Sequence, residues 1–255
     1  MTIHLTIAVL VTVFMAVVAV GFLYLLHARI ARRAIIAVAR AFVQLGIIGG
    51  CVYGLLRADS LLLNLLWLLL TVGIAAWFTT LRARLRRQSM LPVVWVSMLI
   101  SVVACLLPLY CLGPVHRASL FVPLSGGLLA VAVSILPRAL KEYFVALVRF
   151  SDTYYYLLGN GSSWWKAIVP MVRRAVDRSF LPSCRQLSLA GIVGLPLFVV
   201  GLLLAGLPVW SAVVVGLLLE LTGIVVAILT LMLVVVFSRR LVADKRGHLS
   251  GIVRL

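Results

Sequence analysis

One carboxylate, Glu220, stands inside the run Leu217-Leu218-Leu219-Glu220-Leu221, about ten residues or more from either end of an apolar stretch. At that depth a charged side chain cannot reach water along its own helix, so it faces protein or a wet cavity. Three chemistries suit it. It can pair with the other intramembrane charge, Arg40; it can stay neutral and hydrogen-bonded to a polar neighbour; or it can bind a proton or cation on a transport path. Arg40 and Gln44 lie one helical turn apart and point the same way. For Arg40, snorkelling to the nearer membrane edge and pairing in the interior are both open readings. Pro196, in Gly194-Leu195-Pro196, frees a backbone carbonyl and kinks its helix, which suits transporters and plain structural helices alike.

Residues for catalysis are missing. The chain has no phosphate-binding GxxxxGK[ST] loop, no HExxH and no GxSxG, and its six acidic residues and four histidines are too few for an acid-base or metal centre. Cys51, Cys105, Cys111 and Cys184 are scattered without CxxC spacing and read as small packing residues, not as a disulfide framework or metal cage. The chain is therefore expected to be no enzyme and to hold no metal and no cofactor of its own. Any energy it uses comes from a partner or a gradient.

The elements that position these groups are membrane spans. Hydrophobic residues make up 64% of the 255 and charged residues only 11%, and the mean hydropathy is +1.22. A soluble domain needs more than twice that charge density for its surface, so apolar stretches of this length are stable only in lipid. Charged punctuation divides the chain into spans at about Leu5–Leu26, Ala34–Leu56, Leu61–Leu81, Leu91–Leu112, Leu120–Leu140, Leu187–Leu207 and Trp210–Phe237. With seven spans, 20 of the 23 basic residues fall on one side, leaving Arg57 and Arg117 opposite and Arg40 inside a span. The expected fold is thus all-α and polytopic, with about seven transmembrane helices, the N-terminus outside and the C-terminus cytoplasmic. The first span lacks a basic n-region and a small-residue cleavage site, so it reads as an uncleaved helix. The net charge of +17 is explained by this orientation and by anionic headgroups, and nucleic acid is not an expected partner. The lipid bilayer is.

Between the fifth and sixth spans lies a cytoplasmic helical segment, about residues 141–185. Lys141 to Leu158 has no Pro or Gly and continues span five. Gly159-Asn160-Gly161-Ser162-Ser163 breaks the chain, with Ser162 or Ser163 as an N-cap. A second helix follows from Trp164 to about Phe180. Trp164, Trp165, Ile168, Met171, Val172, Ala175 and Val176 form one face, and Lys166, Arg173, Arg174, Asp177 and Arg178 the other. Pro170 predicts a kink or two short helices, and Pro182 predicts the end. Two readings compete: an amphipathic helix in the membrane interface, or a coupling element inserted into a partner. Gly46, Gly49, Gly50 and Gly54, then Gly126 and Gly127, then Gly191, Gly194 and Gly201, predict close helix contacts.

Four stretches carry a family resemblance. Arg40-Ala41-Phe42-Val43-Gln44-Leu45 is similar to R-x-x-x-Q-L, and Val122-Pro123-Leu124-Ser125-Gly126 to I-P-I/L-x-G, in the permeases of FetB/YbbM-type ABC transporters. Leu158-Gly159, Arg173-Arg174 and Leu181-Pro182 match a third motif. Gly191-Ile192-Val193-Gly194-Leu195-Pro196, with Gly201, Ala205-Gly206 and Pro208, matches the fourth. The chain departs from the family where Ala130-Val131-Ala132-Val133 replaces G-N-x-M, where Pro196-Leu197-Phe198-Val199 replaces P-G-M-M, and where Val214-Val215-Gly216 replaces Y-Q-I. These changes mark a divergent member, and Glu220 has no counterpart in the pattern.

The resemblance implies a single transmembrane permease domain over 1–255 in the cell inner membrane of a bacterium, which dimerises and pairs with a separate ATP-binding subunit. ATP and Mg would belong to that partner. The segment of Gly159, Asn160, Gly161, Ser162, Ser163, Trp165 and Lys166, with Arg173 and Arg174, would be the coupling element. Export of a small solute or metal ion is the implied function; a gradient-driven carrier using Glu220 and a non-transporting scaffold are the rivals.

Overall fold

A computed structural model describes residues 11–19, 21, 24, 28–58, 60–85, 87–112, 118–189, 197–206 and 208–239. The described residues are helices joined by turns, without a strand, and fit a polytopic membrane protein. They fall into two compact units, Met1–Ala58 and Asp59–Leu255. Five of the helices are long and apolar enough to cross a membrane. Half of the first expected span, Leu5–Leu26, and the stretch 190–196 of the sixth, Leu187–Leu207, lie outside the described residues, Pro196 among them.

The first unit holds a helical stretch at 11–19 and α1, Ala28–Ala58. The 31 residues of α1 give about 47 Å of helix, longer than a bilayer core of roughly 30 Å. Val13 and Val17 face Ile35, Val38 and Phe42 across an open apolar groove. Within this unit a Cβ at Gly46, Gly49, Gly50 or Gly54 would meet nothing within 4 Å.

The second unit contains α2 (Leu61–Arg82), α3 (Arg87–Leu112), α4 (Ala118–Arg149), α5 (Ser151–Gly159), α6 (Trp164–Leu189), α7 (Leu197–Leu204) and α8 (Val209–Phe237). Its organising element is α4, which packs against α2, α6 and α8, while α3 packs against α2 and α8. The core runs from Val72 and Ala76 through Met98, Val102, Leu128, Ala132, Leu136 and Ala227 to Leu231, all essentially inaccessible. Between spans lipid is as apolar as leucine, so shape and close approach hold the helices together instead of water exclusion. Several hydroxyls inside these helices satisfy themselves locally, whereas those of Thr79, Ser97 and Ser179 are buried without a partner among the described residues. Thr80 donates to the Ala76 carbonyl at 3.0 Å, Ser101 to Ser97 at 2.8 Å and Thr230 to Val226 at 2.7 Å.

Among the described glycines, the closest approaches fall outside the four motif stretches. A Cβ on Gly223 of α8 would lie 2.5 Å from Val131 Cβ on α4, and one on Gly216 would collide with Val199 of α7. Neither Val side chain can swing aside as a flexible chain end would.

Between α2 and α3, Arg84 adopts φ +56°, the left-handed region that glycine favours. It closes a Schellman motif: Leu85 N–H donates to the Thr80 carbonyl and Arg84 N–H to Leu81, both at 3.2 Å. Leu85 is thereby buried while Arg84 stays exposed. A non-glycine residue in this conformation costs about 1 kcal/mol. Arg84→Gly is expected to raise thermal stability by a few tenths to about 1 kcal/mol, read as a higher melting temperature in detergent. An unchanged or lower midpoint would contradict the strain assigned to Arg84.

Candidate functional site

The segment singled out by its sequence is a helical hairpin built on the end of α4. The 32 residues of α4 make about 48 Å. If Ala118 sits at one membrane interface, Glu142 lies about 36 Å along, beyond the other. The helix does not run to Leu158 as one piece. It breaks at Phe150, where φ is −112° and ψ 31°, and α5 begins at Ser151.

The turn after α5 is fully specified by hydrogen bonds. Ser162 N–H donates to the Leu157 carbonyl and Gly161 N–H to Leu158, both at 3.0 Å, with Gly161 at φ +76°. This is a Schellman cap with glycine at the left-handed position. Ser163 then caps α6, its hydroxyl accepting from Lys166 N–H at 3.5 Å. The break and the N-cap at Ser163 agree with the sequence reading. The end expected at Pro182 does not hold, nor do two short helices at Pro170: α6 runs as one helix through both prolines to Leu189.

Along α6, Ala167, Ile168, Met171, Val172, Ala175 and Phe180 are buried in the same cluster as Tyr143, Phe144 and Leu147 of α4. The apolar face is thus occupied inside the chain, against α4, and is not left free for the membrane interface. Wherever such a contact stands outside the bilayer, burial removes apolar surface from water, at about 25 cal/mol per Å², a force that contacts within lipid lack. One ion pair among the described residues crosses this contact, Arg178 Nη1 to Glu142 Oε2 at 2.9 Å. Both partners are partly solvated, so it is worth about 0–1 kcal/mol.

Two cations stack on rings at the same end. Arg174 lies 4.0 Å from the Phe150 ring centre, bracing the break between α4 and α5. Arg239, just beyond α8, lies 4.8 Å from the ring of Trp164. The start of α6 is therefore tied to the end of the helix that carries Glu220. Tyr154 is buried there; burial pushes its hydroxyl above the usual range, Tyr155 adds to this and Arg239 opposes it.

The predicted coupling residues lie on one exposed stretch. Gly159, Asn160, Gly161, Ser163, Trp165, Lys166, Arg173 and Arg174 are exposed, and Ser162 is half-buried. The two tryptophans assigned to one face separate, Trp164 packing on the core and Trp165 pointing outward. Tyr156, on the preceding helix, is exposed as well. Sequence reasoning missed Tyr156, Phe150, Glu142 and Arg239. Glu142 was findable as one of only six acids in a basic segment, whereas the ring contacts leave no sequence signal.

The described intramembrane candidates divide between the two units. Arg40 and Gln44 are exposed on α1 in the first unit. Glu220 is half-buried in α8 in the second, one turn from Gly216 and less than one from Gly223. No hydrogen bond or ion pair joins it to another described residue. Among the described residues, no group of three His, Cys, Asp or Glu comes together to hold a metal ion.

No curated protein and no solved structure matches the chain. A family model described as Uncharacterised protein family (UPF0014) matches residues 6–242, nearly the whole length. Taken with the apolar helices described above, that match shows that the chain belongs to the UPF0014 family, which includes ABC-transporter-type permeases.

Proposed function

We propose that this chain is the membrane-spanning permease subunit of an ABC transporter of the FetB/YbbM type, an exporter of a small solute or metal ion in the inner membrane. It works as a homodimer with a separate ATP-binding subunit, which supplies ATP and Mg and performs the hydrolysis. The observation that carries this reading is the capped turn between α5 and α6. It presents exposed Trp165 and Tyr156, residue types enriched in protein interface hot spots. The turn stands on a buried α4–α6 contact and is joined by Arg239 to α8. A push on the turn has a rigid route into the spans.

The test is co-purification from the native membrane, followed by identification of any ATP-binding subunit that comes with the chain. The expected result is a stable complex whose ATPase rate changes several-fold over that of the isolated subunit. A subunit that neither binds nor responds would refute the assignment and favour a non-transporting scaffold. A second reading rests on Glu220, whose half-buried carboxylate has no partner among the described residues and suits a proton or cation site. A gradient-driven carrier would transport in vesicles without ATP and stop in Glu220→Gln; the ABC reading expects no transport without ATP.

A further inference from the structure

At the end of α2 remote from Arg82 and Arg84, the helices α2, α3 and α4 leave a groove of about 290 Å³. Leu61, Leu65, Leu68, Leu107 and Phe121 make its walls, and Asn64 is the single polar side chain among its lining residues. Leu61, Leu65 and Leu107 are exposed and form a rim that opens sideways, where a spanning helix meets lipid. Asn64 is only 6% exposed, and its Oδ1 is buried with no hydrogen-bond partner. A buried acceptor left without a donor carries the cost of its desolvation, and native proteins rarely keep one without a use. A half-turn of the amide about its last bond presents either end to the groove.

Depth identifies the missing donor. Asn64 lies three residues inside the first residue of α2, about 5 Å along the helix axis. That is the level at which an acyl chain joins its polar head, one turn below the interface. The rest of the groove offers only aliphatic and aromatic surface, which a chain fills and a soluble polar solute does not.

We propose that this groove is a lipid site, taking one acyl chain of a bilayer lipid with a hydroxyl or amide N–H at its head end donating to Asn64. The lipid belongs to the leaflet opposite the basic ends of α2 and α3. It is a site separate from the coupling turn and stands whether or not that turn binds an ATPase.

The test uses the full chain in detergent with two probes of the same acyl chain, monoolein, which has donor hydroxyls, and methyl oleate, which has none. Bound lipid is counted by native mass spectrometry across a titration. The wild type is expected to retain one monoolein with about tenfold higher affinity than methyl oleate, the worth of one hydrogen bond. Asn64→Leu is expected to erase that preference while still binding methyl oleate, which also shows that it is folded. Leu65→Trp, at a position on the exposed rim, is expected to fill the groove and reduce both. Equal affinities in the wild type, or a preference that survives Asn64→Leu, would overturn the proposal. So would a dimer that retains no monoolein and cross-links through Leu65→Cys, because a second copy would then occupy the groove.

Discussion

Gly223→Ala is expected to lower the stability of the protein by about 1–3 kcal/mol, more than any other single methyl group added to a glycine of α7 or α8 except at Gly216. The new Cβ would sit 2.5 Å from Val131 Cβ and 2.7 Å from its Cγ1. Real Cβ atoms do not approach so closely, so α4 and α8 must move apart. Because this crossing is near the centre of the second unit, separation would open contacts around Leu128, Ala132 and Leu231 together. For a chain of this length the loss corresponds to a midpoint lower by roughly 2–12 °C, measured by size-exclusion after heating in detergent. Gly201→Ala supplies the comparison, since its Cβ would meet nothing within 4 Å, and there the better helix propensity of alanine predicts a gain of up to about 1 kcal/mol. Val131→Ala in the Gly223→Ala background removes the two Cγ contacts but keeps the Cβ clash, so it restores only part of the loss. Equal midpoints for Gly223→Ala and Gly201→Ala would refute the close approach.

That experiment also marks where sequence reading stops. Span edges were legible because an apolar run in lipid must end where charge begins. The expected Leu61–Leu81 and Trp210–Phe237 agree with α2 and α8 to within a residue. Which glycines meet another helix was not legible. A glycine states that a backbone can approach, and only the tertiary arrangement decides what arrives, so the spaced glycines of α1 meet nothing within their own unit while Gly216 and Gly223 meet valines within theirs. The hairpin of α5 and α6 was intermediate. Gly161 announced its turn because few other residues accept that backbone, whereas Arg84 made an equivalent turn with no such signal. Adjacent tryptophans on a helix point about 100° apart, so Trp164 could bury and Trp165 face outward although periodicity placed both on one broad face. Pro170 and Pro182 failed as breakers because α6 packs along α4, and tertiary contact overrode the local preference.

The largest functional effect is expected at that outward tryptophan. In the proposed complex Trp165→Asp places a carboxylate where an aromatic anchor would be desolvated, and interface anchors of this type cost 2 kcal/mol or more when lost. The ATPase response to the permease is therefore expected to fall by about thirtyfold or more at subsaturating protein. The folded chain should hardly register the change, since Trp165 is exposed and the apolar face of α6 turns on Ile168, Met171 and Val172. A melting temperature within about 2 °C of the wild type is expected, because exposed substitutions away from packing usually stay within about 0.5 kcal/mol. Gly161→Val separates the alternatives. A β-branched residue at φ +76° breaks the Schellman cap and shifts the whole turn, so it should abolish coupling and also lower stability by about 1–2 kcal/mol. If the turn merely joins two helices, Gly161→Val will lower stability while Trp165→Asp leaves complex formation and ATPase rate untouched. If it transmits force to a partner, both will uncouple, and only Gly161→Val will melt early.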